Sequence, residues 1–308
     1  MKILVTGGAG FIGSNIVDAY IGKGHEVFVV DDLSSGSLDN LSPKAKFFQV
    51  DIRDPQLGKI LQENKFDVVN HLAAQMDVRR SVADPIFDAG VNIVGTLNLL
   101  ENCLKSGVKK IIFSSTGGAI YGEQDYFPAD ENHPTRPLSP YGIAKLSVEK
   151  YLFYYYAVHG LKCVVLRYAN VYGPRQNPHG EAGVVAIFTS KLLKGEEPII
   201  NGDGKQTRDY TYVGDVVQAN VLALDYDKQD VFNIGTGKET DVNALFNTLI
   251  AATGSSAKES HGPAKAGEQM RSVIDYSKAK TLLGWEPKVG LDEGLKLTVE
   301  FFRKRIAG

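Results

Sequence analysis

The sequence predicts an α/β protein built on a doubly wound parallel sheet, with a smaller α/β lobe towards its C-terminus. Short apolar runs alternate with amphipathic stretches of helix length through the first half of the chain, which is the pattern of successive strand–helix–strand units. Most of these runs are almost continuously apolar, as expected of strands that helices cover on both faces. A glycine-rich turn directly follows the first run, a position typical of sheets that bind nucleotides.

The individual elements follow from these patterns. Seven strands are predicted, at Ile3–Thr6, Glu26–Asp31, Lys46–Val50, Asp67–His71, Lys110–Ser115, Cys163–Tyr168 and Val231–Ile234. Helices are predicted between them near 11–23, 54–64, 84–106 and 139–159, and later near 181–194, 214–225, 241–253, 276–283 and 291–304. We therefore expect a Rossmann-type domain over 1–170, with returning segments near 210–236, and a second lobe over 171–308.

The composition excludes several classes of protein. Of 308 residues, 43% are apolar and 23% charged, and the net charge is −2, so we expect no nucleic-acid or membrane partner. No apolar run reaches the ~18 residues of a transmembrane helix, and the first strand leaves no room for a secretory leader. Cys103, Cys163 and the six histidines show no ligand spacing. We expect a cytoplasmic protein with reduced thiols and no metal.

The glycine-rich turn predicts a dinucleotide site. Gly7, Gly10 and Gly13 lie between the first strand and a helix, where glycines let the backbone approach a pyrophosphate at the positive helix N-terminus. Asp31 follows 18 residues after Gly13, at the end of the second strand. A carboxylate there accepts hydrogen bonds from ribose hydroxyls and repels a 2′-phosphate, so NAD is favoured over NADP, and Asp32 strengthens that preference.

Further cofactor contacts are expected along the same sheet edge, because ligands of parallel sheets bind beyond the carboxyl ends of the strands. They come from the glycine turn itself and from the segments that follow the second, third and fourth strands: Phe11, Ile12, Leu33, Ser34, Ser35, Gly36, Asp51, Ile52, Leu72, Ala73 and Ala74.

Tyr141 and Lys145 predict a proton-transfer pair. They lie four residues apart at the start of a helical stretch, so both project from one helix face. An ammonium near a phenol favours the phenolate, as a nicotinamide cation does. Moving a tyrosine pKa from ~10 to ~7 takes about 4 kcal/mol, and the product is a general base poised near neutral pH. Ser114, Ser115 and Thr116 end the fifth strand, where a hydroxyl can reach the same substrate oxygen.

Together these motifs resemble the extended short-chain dehydrogenase/reductase family and, within it, the UDP-glucose 4-epimerases. The shared features span most of the chain: Gly7-x-x-Gly10-x-x-Gly13, Asp31, Asp51, Asn92, Ser114-Ser115-Thr116, Tyr141-x-x-x-Lys145, Arg167-Tyr168-Ala169-Asn170 and Arg208-Asp209-Tyr210. The combination is highly specific for the family and less specific for the substrate.

The resemblance implies an NAD-dependent inversion of C4 in a UDP-hexose, which interconverts UDP-galactose and UDP-glucose through a 4-keto intermediate. It implies that Tyr141 takes the proton of the sugar 4-hydroxyl while hydride moves to NAD. Thr116, or failing it Ser115, hydrogen-bonds the reacting oxygen, and Lys145 holds the nicotinamide ribose and lowers the tyrosine pKa. The same resemblance adds Asn92, Ser114 and Tyr168 to the cofactor contacts.

The substrate site is expected to hold a diphosphate and a uracil. Arg208 follows a turn rich in glycine, and its guanidinium can make the bidentate contact that a diphosphate requires. The resemblance adds Asn170 as a phosphate or sugar contact, Gly183 and Val184 as the segment facing the nucleotide, and Ile199 and Ile200 as neighbours of the uracil.

Related enzymes remain as alternatives. The 4,6-dehydratases carry an Asp-Glu pair after the threonine, whereas this chain has Gly117-Gly118, and glycine cannot transfer protons. The UDP-glucuronate decarboxylases place a glutamate in this loop, where the nearest here is Glu123. A UDP-GlcNAc or UDP-glucuronate 4-epimerase stays open, with a decarboxylase less favoured. A non-catalytic NAD-binding regulatory protein is disfavoured because the hydroxyl, Tyr141 and Lys145 are all present.

The C-terminal part carries the substrate preference. The family often shows Arg-Pro-Gly-Asp or Arg-Pro-Gly-Glu as a diphosphate contact, and this chain reads Lys265-Ala266-Gly267-Glu268. Lysine keeps the positive charge but lacks the planar guanidinium that makes a bidentate contact, and Arg271 is expected to compensate for that loss. Ser272 falls where some epimerases use a bulky tyrosine to exclude N-acetyl sugars, which predicts a roomy pocket.

The family resemblance also implies a homodimer. Related enzymes pack the helix that carries the tyrosine, here near 139–159, with the helix near 84–106 of the same subunit against a second copy. Tyr151, Tyr154, Tyr155 and Tyr156 on the first of these helices are interpreted as core and subunit interface.

Overall fold

The computed structural model describes residues 1–179, 183–264 and 269–307. Its strands are, in chain order, β1 (Lys2–Thr6), β2 (Glu26–Asp31), β3 (Lys46–Gln49), β4 (Val68–His71), β5 (Lys110–Thr116), β6 (Lys162–Tyr168), β7 (Asn170–Tyr172), β8 (Ile200–Asn201), β9 (Thr207–Arg208), β10 (Tyr210–Tyr212), β11 (Asp230–Ile234), β12 (Thr240–Asp241), β13 (His261–Gly262) and β14 (Arg271–Ser272). Seven of them form one parallel sheet in the order β11-β6-β5-β4-β1-β2-β3.

The helices lie on both faces of this sheet, which confirms the predicted doubly wound Rossmann-type α/β fold. They are α1 (Phe11–Gly22), α2 (Gln56–Asn64), α3 (Val78–Ala83), α4 (Pro85–Ala89), α5 (Thr96–Ser106), α6 (Gly117–Ile120), α7 (Pro140–His159), α8 (Val184–Leu193), α9 (Val213–Asp225), α10 (Val242–Thr253) and α11 (Leu291–Ala307). Residues of α1 and α9 share one apolar core, and those of α2, α5 and α7 share the core on the opposite face. The strand order reverses between β1 and β4, where such sheets bind their ligands.

The smaller lobe has an apolar core of its own, in which α8, α10 and α11 pack around Tyr172 and Tyr210. The chain crosses between the lobes repeatedly, because α9 and β11 return to the large sheet. The sequence patterns did not predict a further return of the chain to the large domain. There Tyr276, Ala279, Leu283 and Trp285 pack into the core beside α1 and α9.

The predicted helix over 84–106 is broken in the structure. Asp84 caps the short helix α4, whose first residue is Pro85, and a π-helical segment, Gly90–Gly95, separates α4 from α5. A Cβ atom on Gly95 would lie 2.9 Å from the side chain of Ile52, so the segment packs closely against the end of β3. Such π-helical turns occur most often beside functional sites.

Both cysteines are buried and unpaired. Among the residues that the structure describes, no helix is long and apolar enough to cross a membrane.

A buried ion pair joins α7 to the sheet. Arg167 on β6 donates to both carboxylate oxygens of Glu149 on α7, at 3.0 and 2.6 Å. The hydroxyl of Ser115 donates to the same carboxylate at 2.6 Å, and Arg167 also donates to the Tyr121 hydroxyl. Tyr121 in turn donates to Asn233 on β11. This network ties the helix that carries Tyr141 to three strands of the sheet.

Replacing Arg167 with methionine should destabilise the fold by about 3–5 kcal/mol, because the buried Glu149 carboxylate then has no cation to balance it and only the Ser115 hydroxyl bonded to it. Chemical denaturation measures this free energy of unfolding. Lys162→Met is the matched control on the same strand, since it removes an exposed pair with Asp227 and should leave stability almost unchanged. Equal stability of the two variants would contradict the role of the buried pair.

Candidate active site

The glycine turn is closed so tightly that side chains are excluded from it. Gly7 has φ +69°, and a Cβ atom there would lie 2.6 Å from the backbone nitrogen of Ala73. A Cβ atom on Gly13 would lie 2.1 Å from the carbonyl oxygen of Gly7. Gly10 precedes α1 and supplies no capping side chain. The first-turn N–H groups, at Phe11 and Ile12, are therefore open to an anion that approaches the positive end of the helix.

Asp31 is held in place beside this turn. Its carboxylate accepts hydrogen bonds from the backbone nitrogens of Ala9 at 2.9 Å and Leu33 at 2.8 Å. Burial raises the pKa of Asp31 above its ordinary value, and the two backbone bonds oppose that rise. Each carboxylate oxygen keeps a further lone pair for a ribose hydroxyl.

The loop after Asp31 folds back onto the glycine turn. Asp32 is exposed and accepts bonds from the backbone and hydroxyl of Ser34. Ser35 follows at the exposed tip, and a Cβ atom on Gly36 would lie 2.9 Å from the backbone of Ala9. The structure thus brings this predicted segment to the predicted pyrophosphate site.

The segments after β3 and β4 are fixed by internal bonds. Asp51 forms an ion pair with Arg53 that lowers the pKa of its carboxyl group, and Ile52 is buried. The backbone of Leu72 donates to Thr6, and that of Ala73 to the Thr6 hydroxyl, which brings Leu72, Ala73 and Ala74 beside Gly7.

Asn92 lies in the π-helical segment and its amide clamps the loop after β4. It accepts from the backbone nitrogen of Gln75 and donates to the Gln75 carbonyl oxygen, both at 2.9 Å, and it donates to Asp88 at 3.0 Å. These bonds hold the loop after β4 in place, and the cofactor contact of Asn92 stays a prediction.

The start of α7 places Tyr141 and Lys145. Ser139 caps the helix by accepting from the backbone of Gly142, and Pro140 occupies the first turn. The ammonium of Lys145 donates to the carbonyl oxygen of Ser114 at 2.8 Å and lies 5.8 Å from the centroid of the Tyr141 ring. Burial lowers the pKa of Lys145 to about 8, while the carboxylates of Asp88 and Glu149 oppose that fall.

The pKa of Tyr141 corrects our expectation. Burial raises it above the ordinary value and the Asp88 carboxylate adds to the rise, so the protein by itself does not bring this phenol to neutral pH. Sequence reasoning counted the lysine charge and omitted the desolvation of the phenol, which is the larger effect here.

The three hydroxyls at the end of β5 point to different partners. Ser114 bonds to the hydroxyl of Tyr168 at 3.1 Å, and Ser115 donates to Glu149 at 2.6 Å. Thr116 is the half-buried residue that ends the strand, and it accepts a bond from the backbone of Ala119 at 3.2 Å. Ala119 packs against Gly142, the residue after Tyr141, so the short helix that Thr116 caps lies against the start of α7.

Tyr168, a predicted cofactor contact, is buried in the core. Its hydroxyl bonds to Ser114 and accepts from Asn220 on α9 at 2.8 Å, and its ring packs in the apolar core shared with α1. Its contribution to a cofactor site passes through Ser114.

Asn170 lies beside Gly118 of α6. A Cβ atom on Gly118 would lie 3.2 Å from its amide oxygen, which places Asn170 beside the loop that follows Thr116. Gly183 and Val184 begin α8 on the lobe side. Of the two isoleucines, Ile199 is exposed, whereas Ile200 is buried in the core of the small lobe, so only Ile199 is available to a planar ring.

Arg208, Arg271 and Ser272 meet in a small sheet. Arg208 pairs with Ser272 across β9 and β14, and Ser272 is buried. The guanidinium of Arg271 does not behave as a free diphosphate clamp, because it forms an ion pair with Glu239 at 2.7 Å and stacks on the ring of Phe127 at 3.7 Å. The predicted contacts Lys265 and Glu268 lie outside the described residues.

Sequence reasoning missed Asp88 and Gln75. Asp88 is 1% exposed, and its only sequence signal is an acidic residue one helical turn before Asn92. Among the residues that the structure describes, no three His, Cys, Asp or Glu side chains gather in a metal-binding arrangement.

Comparison with known proteins agrees with this geometry. A family model described as GDP-mannose 4,6 dehydratase matches residues 4–298. The chain is 56% identical to a UDP-glucose 4-epimerase from Thermotoga maritima, solved with UDP-glucose, with a TM-score of 0.98 over 99% of this chain and 100% of the other. It is 46% identical to a UDP-glucose 4-epimerase from Thermus thermophilus in complex with NAD (TM-score 0.94; 98% and 99% covered).

A third solved structure differs in its ligand. It is a UDP-N-acetylglucosamine 4-epimerase from Methanobrevibacter ruminantium in complex with UDP-N-acetylmuramic acid, 37% identical, with a TM-score of 0.94 over 99% of this chain and 98% of the other.

The chain belongs to the extended short-chain dehydrogenase/reductase family. Within that family it is an epimerase-like enzyme of the isomerase type, with NAD as its cofactor. The residues present fit this cofactor, since the cradle at Gly7 and Gly13 admits backbone but no side chain and Asp31 is fixed beside it.

Gly13→Ala should weaken NAD binding by more than about tenfold, or about 1.4 kcal/mol, because the new Cβ would collide with the Gly7 carbonyl oxygen and open the turn. Equilibrium dialysis with NAD measures the affinity. Gly22→Ala, at the end of the same helix with nothing within 4 Å of its Cβ, is the matched control and should bind normally. Unchanged affinity of Gly13→Ala would show that the cofactor lies elsewhere.

Proposed function

We propose that this protein interconverts UDP-glucose and UDP-galactose by inverting C4 of the hexose through a 4-keto intermediate. The observation that carries this proposal is the Gly117-Gly118 pair beside Thr116 and Tyr141. A Cβ atom on Gly117 would lie 2.7 Å from Ile274, and one on Gly118 would lie 3.2 Å from Asn170. Glycine supplies no acidic side chain at either position, so the acid–base step that a 4,6-dehydratase needs has no group to perform it there.

The residues of the chain supply the remaining chemistry. Tyr141 takes the proton of the 4-hydroxyl, and Thr116 donates a hydrogen bond to the same oxygen. Lys145 binds the nicotinamide ribose with its ammonium. When bound, NAD supplies a hydride acceptor and a positive ring charge, and that charge lowers the pKa of the nearby phenol against the rise that burial causes. Arg208 holds the diphosphate, and Ile199 packs on the uracil.

A UDP-N-acetylhexosamine 4-epimerase is the second candidate. Ser272 pairs with Arg208 at the proposed diphosphate site, and serine is a small residue at this position. The ligand of the Methanobrevibacter structure also carries an N-acetyl group. A UDP-glucuronate decarboxylase is less favoured, since Glu123 is exposed.

Purified protein with UDP-glucose, UDP-galactose, UDP-GlcNAc and UDP-glucuronate in separate reactions should invert C4 of the plain hexoses, as NMR of the sugar protons will show. Turnover of UDP-GlcNAc as well would establish the roomy pocket. No epimer from any substrate would refute the proposal.

In the same assay, Tyr141→Phe should lose at least about 100-fold in rate, the contribution typical of a general base, while NAD binding is retained. Near-normal turnover would place the base elsewhere. A non-catalytic regulatory protein would give a different result. The unmodified protein and Tyr141→Phe would then both bind NAD, and neither would turn over any UDP-sugar.

We also propose a homodimer through the 84–106 and 139–159 segments. These segments carry four apolar side chains that are more than half exposed: Ile86, Val94, Phe153 and Val158. The helices α4 and α7 pack directly on each other, and exposed apolar side chains on neighbouring helices are typical of an interaction surface. Sedimentation equilibrium should give a dimer, and Phe153→Asp should give a monomer. Leu282→Asp, at an exposed site elsewhere, should stay dimeric.

A further inference from the structure

Asp88 is a buried carboxylate with one free oxygen. Its Oδ1 accepts hydrogen bonds from Gln75 at 2.9 Å and Asn92 at 3.0 Å, both neutral donors. Its Oδ2 is buried and has no hydrogen-bond partner among the described residues. A buried carboxylate whose donors are neutral is stabilised by a positive charge nearby.

The buried cation that acts on this carboxylate is the ammonium of Lys145, through space rather than as a hydrogen-bonded ion pair. This group is also buried, and its one hydrogen-bond acceptor within the described chain is the carbonyl oxygen of Ser114. The helix α4, which carries Asp88, packs against α7, which carries Lys145. Asp88 acts electrostatically on both members of the catalytic pair, since it raises the pKa of Lys145 and that of Tyr141.

We propose that Asp88 is a positioning residue of the active centre, whose buried charge stabilises the Lys145 ammonium across the contact of α4 with α7 and sets the pH range in which the Tyr141–Lys145 pair works. This proposal rests on the assignment of that pair as the proton-transfer groups. Gln75 and Asn92 fix the carboxylate, which explains why the π-helical segment turns the Asn92 amide inwards.

Other charged or titratable groups around Lys145 do not replace Asp88. Glu149 lies one turn further along α7, but both of its oxygens are engaged by Arg167. His71 on β4 is held neutral, because burial lowers its pKa to about 3. Tyr141 itself carries the proton that is transferred.

Removal of the Asp88 charge shifts the pKa values of Lys145 and Tyr141 in the same direction. Without Asp88, the pKa of Lys145 falls below its value of about 8, so the ammonium is lost at a lower pH as pH rises. The pKa of Tyr141 falls as well, so the phenolate forms at a lower pH. In a plot of kcat against pH, the acidic limb follows Tyr141 and the basic limb follows Lys145, so both limbs move to lower pH. Their apparent pKa values belong to the coupled pair.

Asp88→Asn tests the proposal, because asparagine keeps an acceptor for Gln75 and Asn92 while it removes the charge. Both limbs of the kcat–pH profile should move to lower pH by about one unit. Asp88→Glu, which retains the charge, should keep the limbs of the unmodified protein. If Asp88→Asn lowers the rate but leaves both limbs of the kcat–pH profile at their original pH, the proposal is overturned, since a merely structural residue would behave in that way.

Glu101→Gln is the matched control. Glu101 accepts a hydrogen bond from Tyr155 on the same helix as Lys145, ten residues and therefore about 15 Å beyond it. Its loss should leave both limbs in place. If Glu101→Gln moves them as far as Asp88→Asn does, the effect of Asp88 is not local and the proposal fails.

An NMR titration of the Lys145 side chain, assigned by its absence in Lys145→Arg, separates this inference from the proposed function. A lower Lys145 pKa in Asp88→Asn supports the inference even if no UDP-sugar is epimerised, and an unchanged value refutes it even in an active enzyme.

Asp88→Ser, which leaves space for a water, is the second neutral variant. If neither neutral variant folds, Asp88→Asn combined with Lys145→Met should restore folding, because the uncompensated ammonium is then gone. Failure of the double variant to fold would overturn the proposal.

Discussion

The burial of one ammonium group, that of Lys145, constrains most of the structure around the site. A buried charge must be compensated by dipoles or opposite charges. The carbonyl oxygen of Ser114 and the face of the Phe113 ring lie against it, and the carboxylates of Asp88 and Glu149 act on it from two helices. Glu149 then requires Arg167, and Arg167 engages Tyr121. The compensation of a single charge thus extends from α4 to the outermost strand of the sheet.

The nucleotide half of the site was predictable from sequence because its signals are local. Strand, glycine turn, helix and Asp31 follow one another within a short stretch of chain, and Tyr141 and Lys145 lie on one helical face. The tight packing at Gly7 and Gly13 is the physical reason that this pattern is informative. Thr116 was likewise indicated by its position at a strand end.

The remaining features depend on contacts between residues that are distant in sequence. Arg271 forms an ion pair with Glu239, 32 positions away in the sequence, and no local sequence pattern predicts that pairing. Asn92 faces Gln75 and Asp88 because the helix is π-helical at that point, which shifts its side chain relative to a regular helix. The raised pKa of Tyr141 reflects burial, a property of the folded chain that the spacing of Tyr141 and Lys145 does not report.

The repeated crossing of the chain between the two lobes has a consequence for how such proteins diversify. Strand β11 and the segment that ends at Trp285 are built into the large domain, although both lie far downstream of the first residues of the smaller lobe. The smaller lobe is therefore not one continuous stretch of chain that a single recombination event could exchange between genes. New sugar preferences in this architecture are expected to arise by point substitutions and loop changes at positions such as Gly117 and Ser272, within a scaffold inherited whole.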